Sequence, residues 1–389
     1  MKRYVWILLL ILIPLCARAE SARDVTAEAL IEIVGSDSRV EKLRDRDEST
    51  GISAPAGKRQ YLIVTPGDAA IAAAYIEFGP QPSSVAMEAL VGETWQAQAE
   101  YQNPGYSQAL IRFPAQTAPF RLAFTPVREG EKLYIRELYL FSEGEPDGEL
   151  VHTWGEAPEK VDILFVATHP DDELLWFGGA IPGSVDAGKS VQVAYLTCQN
   201  PTRRLELLNG LWHCGLRGYP ELLYLEDCKK PRETVLEKWG EKQTLHRLVR
   251  LLRACRPEVV VTHGRGGEYG HVQHVLCSEL MQEAVKKAAD GTYYPQGGAP
   301  WTVKKLYLHG GKTPTLCMDW DIPLAAFGGK TGIDVAREAF AYHVSQQTGR
   351  YRVAAAGDKF DSTLYTLTVT RVGKDEEGND FFEHIGADR

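Results

Sequence analysis

A short apolar segment that ends in a cluster of polar residues constrains the fold of this chain most. Ile163 to Ala167 is uniformly apolar and is followed after one threonine by His-Pro-Asp-Asp-Glu at residues 169 to 173. A run this short and apolar is typical of a strand buried on both faces of a parallel sheet. Asp171 and Asp172 favour a helix start after it, running through Trp176, because short acidic side chains accept the first free N–H groups. Ligands bind at the carboxyl ends of strands in such α/β sheets, so the polar cluster is a candidate site.

His169 and Asp172 have a spacing that suits a metal site. Residues three apart across this turn can direct a nitrogen and an oxygen at one metal ion, while Asp171 points elsewhere. A second histidine from a distant segment would complete a three-ligand site with an open position for water, as in catalytic zinc centres. The alternative is that the acidic run only caps a helix and compensates its dipole, which leaves His169 unexplained.

A second polar segment supplies the missing histidine. The apolar run from Pro257 to Val261 precedes a glycine-rich stretch that ends with His271 and His274, and a helical apolar pattern follows them. One histidine could bind metal and the other could face a reacting carbonyl. A hydrogen-bonded core or surface histidine would explain either one alone, but the two together, in a chain that holds His-Pro-Asp-Asp-Glu, favour an active site.

These segments resemble the PIG-L/LmbE-like deacetylases, which remove acetyl groups from N-acetylglucosamine-containing substrates and related amides. The motif His-Pro-Asp-Asp-Glu is complete at 169 to 173, and Tyr-Gly-His-x-x-His is complete at 269 to 274. A weaker element, Arg-x-x-Glu followed by glycine, matches Arg203, Glu206 and Gly215. The resemblance covers roughly residues 158 to 389.

The resemblance implies a role for each matching residue. It implies that a divalent metal, usually zinc with Fe²⁺ as an alternative, is held by His169, Asp172 and His274. It further implies that Asp171 is the general base, that His271 and Tyr269 stabilise the tetrahedral intermediate, and that Arg203 contacts the sugar. Some members pair the first histidine of the second motif with an acidic residue, where this chain has Gln273. A neutral partner would favour a protonated His271 less.

The implied function is that of an exported zinc-dependent N-deacetylase. Zinc-activated water would remove the N-acetyl group from an N-acetylglucosamine-containing glycan or glycoconjugate, releasing acetate and a free amino sugar. Two alternatives remain open: a deacylase of a sugar ester or a non-sugar amide, and a catalytically idle glycan-binding protein.

The chain is long enough for two domains after an amino-terminal signal. Residues 1–19 combine Lys2 and Arg3, an apolar run and Ala-Arg-Ala, which predicts a signal peptide cleaved before Glu20 and a secreted or cell-envelope location. Lipidation of Cys16 is the less favoured alternative. No membrane span is expected after cleavage.

Residues 20–150 hold short alternating apolar runs separated by turn residues, which predicts a β-sandwich. Their pattern weakly resembles a discoidin-type jelly roll, a fold often used for glycan binding. Trp95, Tyr101 and Tyr106 could then stack on sugars, although core packing explains each as well. Residues 144–158 are expected to be a linker. We also expect hydrolysis of a small acetylated amino sugar to survive deletion of residues 20–150.

Residues 158–389 are predicted to form an α/β domain with a Rossmann-like, mostly parallel sheet and flanking helices. No Gly-x-Gly-x-x-Gly follows the first strand, so no dinucleotide is expected. The segment from Tyr342 to Gln347 either lines the site or forms a surface helix. The formal net charge of -9, with no basic run, argues against nucleic acid. Six cysteines outside the signal permit disulfides but do not require them, and the oligomeric state is left open.

Overall fold

The computed structural model describes residues 20–35, 39–53 and 59–386. The predicted signal peptide at residues 1–19 lies outside the described part of the chain. Within that part, no helix has both the length and the apolar character needed to cross a membrane.

Nine strands form two antiparallel sheets in the amino-terminal third. They are β1 (Leu30–Ile33), β2 (Ile52–Ser53), β3 (Gln60–Thr65), β4 (Ile71–Phe78), β5 (Pro82–Val91), β6 (Thr94–Gln102), β7 (Gln108–Gln116), β8 (Phe120–Pro126) and β9 (Tyr134–Phe141). One sheet has the order β1-β3-β8-β5-β6 and the other has the order β2-β9-β4-β7. Apolar side chains from both sheets share one core, for example Leu122 from the first and Ile76 from the second. The β-rich region predicted from the alternating runs is therefore present.

The remaining elements form one mixed sheet with helices packed against it. They are β10 (Ile163–Ala167), α1 (Asp172–Leu175), α2 (Ala180–Asp186), β11 (Val191–Tyr195), α3 (Pro201–His213), β12 (Glu221–Leu222), α4 (Arg232–Trp239), α5 (Glu241–Cys255), β13 (Val259–Thr262), α6 (Val272–Ala288), β14 (Lys305–His309), β15 (Leu316–Cys317), α7 (Gly332–Ala341) and β16 (Leu364–Thr370). The strand order is β12-β11-β10-β13-β14-β16-β15. The first five strands pair in parallel, whereas β16 pairs antiparallel with both β14 and β15, so the sheet is mixed.

Strand β10 lies at the centre of the parallel part, as its uniform apolar character predicts. Its odd-numbered residues Ile163, Phe165 and Ala167 belong to the core on one face, and Leu164 and Val166 belong to the core on the other. Burial on both faces explains why the strand shows no polar alternation. Its carboxyl end, and those of β13 and β14 beside it, open onto the same edge of the sheet, where the polar motifs begin.

The stretch predicted as a linker packs against both halves of the molecule. Trp154 is buried in the core of the α/β half and donates its indole N–H to Gln108 Oε1 of β7 at 2.8 Å. Tyr106 is also buried and stacks on Tyr219 with ring centroids 4.3 Å apart. Tyr106 is therefore not an exposed sugar platform, and Arg121 lies over the ring of Trp95.

The six cysteines of the described residues are all free, so that part of the chain contains no disulfide. Five of them are buried or half-buried. This agrees with the expectation that a large core has no need of covalent cross-links.

Candidate active site

Three side chains from the two polar motifs converge at the carboxyl edge of the sheet. His169 Nδ1 lies 3.0 Å from Asp172 Oδ2 and 3.1 Å from His274 Nε2, and His274 Nε2 lies 3.2 Å from Asp172 Oδ2. All three residues are buried. Donor atoms of a tetrahedral site with metal bonds of about 2.0–2.1 Å would lie roughly 3.3 Å apart. The donor set and its spacing therefore fit a divalent metal such as zinc.

The Asp172 carboxylate favours the protonated forms of the two histidines. Burial works against the charged form, but the Asp172 carboxylate outweighs it and raises the pKa of His169 to about 10 and that of His274 to about 9. A divalent cation bound by the same nitrogen atoms would displace these protons, as metal binding to protonated ligands requires.

His263 also approaches Asp172, at 3.5 Å from Nε2 to Oδ2, but its nitrogens are already used. Nε2 accepts the backbone N–H of Thr168 at 2.9 Å, and Nδ1 lies 2.6 Å from Glu268 Oε2. Neither ring nitrogen has a lone pair free for a metal, so His263 supports the site without being a ligand.

Each of the three metal-ligand candidates is oriented by a further side chain. His274 Nδ1 lies 2.8 Å from Glu268 Oε2, His169 Nε2 lies 2.8 Å from Gln273 Oε1, and Asp172 Oδ1 accepts the indole N–H of Trp176 at 2.8 Å. Such contacts fix the tautomer of a histidine ligand and direct its free nitrogen at the metal. The sequence-based interpretation of Gln273 as the partner of His271 is wrong, because its side chain reaches His169 instead.

Glu268 connects the site to the neighbouring strand ends. It is 2 % exposed, and its carboxylate contacts imidazoles of His263, His274 and His309 at 2.6–2.8 Å and accepts the backbone N–H of Gly264. Although burial opposes ionisation, these partners, His263 above all, hold the pKa of Glu268 well below its usual range. The sequence analysis missed this residue, although a lone acid inside a glycine-rich loop at a strand end was a usable signal.

Asp171 is held in an unusual conformation beside the metal ligands. Its φ angle is 106°, its backbone N–H donates to Glu173 Oε2 at 2.9 Å, and Arg203 Nη2 donates to its Oδ1 at 3.1 Å. The side chain does not cap α1 as the sequence predicted, because it turns toward Arg203. Burial and the adjacent Asp172 charge raise the pKa of Asp171 to about 7.

Arg203 lies in the first turn of α3, whose start is well determined by the sequence. Asn200 accepts the N–H groups of Thr202 and Arg203, and Pro201 occupies the first helical position. The Arg203 guanidinium also donates to the Pro170 carbonyl. The Arg203 guanidinium therefore contacts Asp171, the candidate general base. The resemblance implied a contact between Arg203 and the sugar instead. Glu206, from the same motif, accepts the backbone N–H of Ser345, and Gly215 follows the helix end with φ 86°.

His271 and Tyr269 lie on the open side of the ligand cluster. The His271 ring centroid is 4.8 Å from that of His169 and 4.5 Å from that of His274, and its Nδ1 has no partner among the described residues. Burial, then the positive charge of His169, lowers the pKa of His271 to about 4, so the imidazole is neutral. Tyr269 is 44 % exposed, and its ring centroid lies 5.6 Å from those of both His271 and His274.

The segment from Tyr342 to Gln347 is mostly exposed and contains a short 3-10 helix (Val344–Gln346), but its His343 side chain reaches the residues that hold Asp171. His343 is fully buried, and its Nε2 lies 3.1 Å from Glu173 Oε1. The other carboxylate oxygen of Glu173 accepts the backbone N–H of Asp171. Asp227 was not singled out from the sequence. It lies at the rim of the site, 3.6 Å from His169 Nε2.

Residues 164–285 match the family model described as PIG-L: GlcNAc-PI de-N-acetylase. This segment of the chain is a PIG-L domain. All the side chains of the ligand cluster, Asp171, Arg203 and Glu268 lie inside the matched segment, whereas the β-rich region and His343 lie outside it.

Several curated relatives of this segment share one description. The 1D-myo-inositol 2-acetamido-2-deoxy-alpha-D-glucopyranoside deacetylase of Segniliparus rotundus is 31% identical over 185 residues, and the match covers 38% of this chain and 57% of the relative. A protein of Frankia casuarinae with the same description, numbered 1, is 42% identical over 177 residues, covering 37% of this chain and 57% of the relative. The chain thus spans little more than half the length of these relatives.

A solved structure matches about half of the chain. The N,N'-diacetylchitobiose deacetylase of Pyrococcus horikoshii has 18% sequence identity and a TM-score of 0.39, and the match covers 48% of this chain and 70% of that one.

Proposed function

We propose that this protein is a metal-dependent hydrolase that removes the N-acetyl group from an N-acetylglucosamine-containing glycan or glycoconjugate. The observation that carries the proposal is the cluster of donor atoms from His169, Asp172 and His274, which lie 3.0–3.2 Å from one another. The Asp171 carboxylate, which accepts a hydrogen bond from Arg203, lies beside them. The PIG-L domain and the deacetylases among its relatives support the choice of an acetamide as substrate. Five parallel strands with intervening helices suggest a Rossmann-like unit whose carboxyl edge bears this chemistry.

The chain's own residues can each perform one part of the reaction. His169, Asp172 and His274 would hold a divalent metal, and two imidazoles with one carboxylate favour zinc. When bound, the metal would act as a Lewis acid on the acetamide carbonyl and lower the pKa of a water molecule. Asp171 lies one residue from the ligand Asp172, and Arg203 fixes its carboxylate, so Asp171 is placed to take the proton of the attacking water.

His271 and Tyr269 are the donors for the charge that develops on the carbonyl oxygen. Tyr269 is 44 % exposed and His271 is half-buried, and both rings border His274, so both can face a bound substrate. Loss of one such donor typically raises the barrier by about 2.7–4 kcal/mol. His271 donates as a neutral imidazole in this assignment, because its pKa is lowered to about 4.

A substrate panel tests the reaction type. Acetate release should be measured with N-acetylated sugars, O-acetylated sugars and non-sugar acetamides. Release from N-acetylated amino sugars alone supports the proposal. Faster release from O-acetyl sugars or simple amides would replace it with the deacylase alternative, and no release by metal-loaded protein would favour a glycan-binding protein without activity.

Substitution of each of the two adjacent aspartates distinguishes the general base from the metal ligand. Asp171→Asn should keep the metal and lose about 100-fold to 10,000-fold in rate, as loss of a general base does. Asp172→Asn should weaken metal binding, so excess zinc should restore part of its rate. The exposed Asp68→Asn serves as the matched control. Zinc rescue of the Asp171 variant but not of the Asp172 variant would show that the two roles are reversed.

We also propose that the chain is exported, because residues 1–19 have the layout of a signal peptide. Mass spectrometry of the secreted protein should find a first residue of Glu20. A lipidated Cys16 at the amino terminus would contradict cleavage at that position.

A further inference from the structure

The exposed segment after α7 directs one side chain into the interior of the α/β half. His343 is fully buried, and its Nε2 lies 3.1 Å from Glu173 Oε1. Burial opposes a charge on the imidazole, but the hydrogen bond and the charge of Glu173 outweigh it and raise the pKa of His343, so Nε2 donates to the carboxylate. Among the described residues, Nδ1 has no hydrogen-bond partner. The polar contact of the imidazole is therefore directed at Glu173.

Two helices hold this segment in place. Glu206 of α3 is buried, and its two carboxylate oxygens accept the backbone N–H of Ser345 at 2.6 Å and the Ser345 hydroxyl at 2.7 Å. The backbone N–H of His343 donates to the Phe340 carbonyl near the end of α7 at 3.0 Å. The position of the imidazole is thus set by α3 and α7 and does not depend on Glu173.

Glu173 connects this fixed imidazole to the candidate general base. Its second oxygen, Oε2, accepts the backbone N–H of Asp171 at 2.9 Å. Asp171 has a φ of 106°, and a residue with a side chain keeps such a conformation only where its surroundings hold it. A carboxylate that is bonded at both oxygens cannot rotate away from the Asp171 N–H, whereas one bonded at a single oxygen can.

Asp171 is therefore held from two directions. Arg203 donates to its side chain, and the pair of Glu173 and His343 holds its backbone. Resting on the function proposed above, we infer that His343 is a positioning residue for the base Asp171 and acts through Glu173. His343 lies outside residues 164–285, so the match to the family model assigns it no role. A displacement of about 1 Å at a reacting group can cost about 100-fold in rate, so this hold bears on turnover although His343 does not touch the substrate.

Two replacements of His343 distinguish positioning from the filling of space. His343→Gln keeps an N–H donor, because the amide nitrogen of glutamine is as many bonds from the backbone as Nε2 is. His343→Met has a similar length and no donor. We expect kcat to stay within about 3-fold in the glutamine variant and to fall about 10-fold to 100-fold in the methionine variant, with KM and bound metal unchanged. The control is His246→Met, which removes a half-buried histidine that stacks on Tyr294 and should leave kcat unchanged.

A second comparison avoids a buried carboxylate without a partner, which can prevent His343→Met from folding. In Glu173→Gln the amide oxygen can accept the Asp171 N–H, and the amide N–H can donate to a neutral His343, whose Nδ1 is free to carry the proton. Adding His343→Met to Glu173→Gln should lower kcat about 10-fold to 100-fold below that of Glu173→Gln alone. Adding His343→Met to Asp171→Asn should lower the residual rate no further, because both changes act through the same base.

Hydrogen exchange of the Asp171 amide, measured by NMR, tests the inference without any substrate. Exchange should be about 10-fold or more faster in His343→Met than in His343→Gln, and likewise when His343→Met is added to Glu173→Gln. The amide of Trp176, which donates to the Asp172 carbonyl, should exchange at the same rate in all variants. If the unmodified protein releases no acetate, the proposed function fails, and the exchange rates still decide the inference. Equal kcat or equal Asp171 exchange in the glutamine and methionine variants would overturn it.

Discussion

Replacing Arg204 by methionine tests whether the β-rich region holds the active site in place. Arg204 follows Arg203 in α3 but points the other way. It is 5 % exposed and donates from Nε to Ser107 Oγ and from Nη2 to the Gly79 carbonyl, both at 2.7 Å. One side chain of the pair therefore contacts the base candidate Asp171, and the next contacts the β-rich region.

The structure sets the expected size of the effect. Each hydrogen bond from a charged donor contributes about 1.5–3 kcal/mol, and methionine keeps the apolar stem, so the loss of two such bonds in Arg204→Met should lower the free energy of unfolding by about 3–6 kcal/mol. If α3 shifts by about 1 Å, Arg203 leaves Asp171 and kcat should fall on the order of 100-fold. Bound metal should stay constant, because none of the metal-ligand candidates lies on α3.

The assay combines urea unfolding, metal content and kcat under conditions where each variant is folded. The control is Arg337→Met, which removes an exposed arginine on α7. Its ion pair with Asp334 measures 4.0 Å, so the free energy of unfolding should fall by less than about 0.5 kcal/mol. Adding Arg204→Met to Arg203→Met should lower kcat no further, because both act through Asp171. An unchanged kcat in folded Arg204→Met, or additive losses in the double variant, would refute the coupling.

Three other predictions follow from the site and from the contact between the two halves. Asp172→Ala should lower bound zinc, measured by atomic emission, and abolish acetate release; full occupancy would contradict its role as a ligand. Glu268→Gln should weaken zinc affinity about 10-fold to 100-fold in a chelator competition, because the carboxylate orients His274, and an unchanged affinity would show that the contact is dispensable. Burial, then the charge of Glu137, raises the pKa of Glu77 from 4.5 to about 7, so its protonated form stabilises the fold below pH 4.5 and that stability is lost as pH rises through 7. The loss should approach about 3 kcal/mol in unfolding experiments and should be smaller in Glu77→Gln, in which Glu137, whose pKa is raised to about 8, still contributes; a loss of unchanged size in the variant would exclude Glu77 as a source.

Local pattern was enough to predict the strand and the turn that carries His169 and Asp172. Ile163 to Ala167 is buried on both faces, so its composition alone identified the strand. The carboxyl ends of parallel strands all lie at one edge of the sheet, which fixed where the polar turn would be. His169 and Asp172 lie in one turn, so their spacing largely determines their geometry. The choice of His274 over His271 as the third candidate ligand came from the family resemblance, and in the structure His274 Nε2 lies beside both of these residues.

Contacts set by distant packing could not be predicted. Gln273 lies next to His271's helix start, but the direction of its side chain depends on where α6 meets β10, and this places it on His169. The sheet was predicted to be mostly parallel, which left the direction of its last strands open, and β16 runs antiparallel to β14. Arg203 and Arg204 are identical in type, and only the packed β-rich region distinguishes them.

The structure also argues against the expectation that residues 20–150 can be deleted, because contacts between distant parts of the chain were not visible in the sequence. A composition shift suggested an independent module, but deletion would leave Arg204 and Asn209 in α3 without their buried partners. The Tyr219 face now covered by Tyr106 would also become exposed. Buried polar groups without partners are costly, so we expect the truncated α/β half to be unstable rather than active.

The backbone of Asp171 sets stability and activity against each other. A φ of 106° is adopted readily by glycine but costs a residue with a side chain about 1–3 kcal/mol, and the hydrogen bond to Glu173 holds the chain there. Asp171→Gly should therefore melt at a higher temperature than the natural protein while losing its base. A laboratory selection for heat resistance alone would enrich inactive molecules at this position, so any such selection has to be run with substrate turnover as a second criterion.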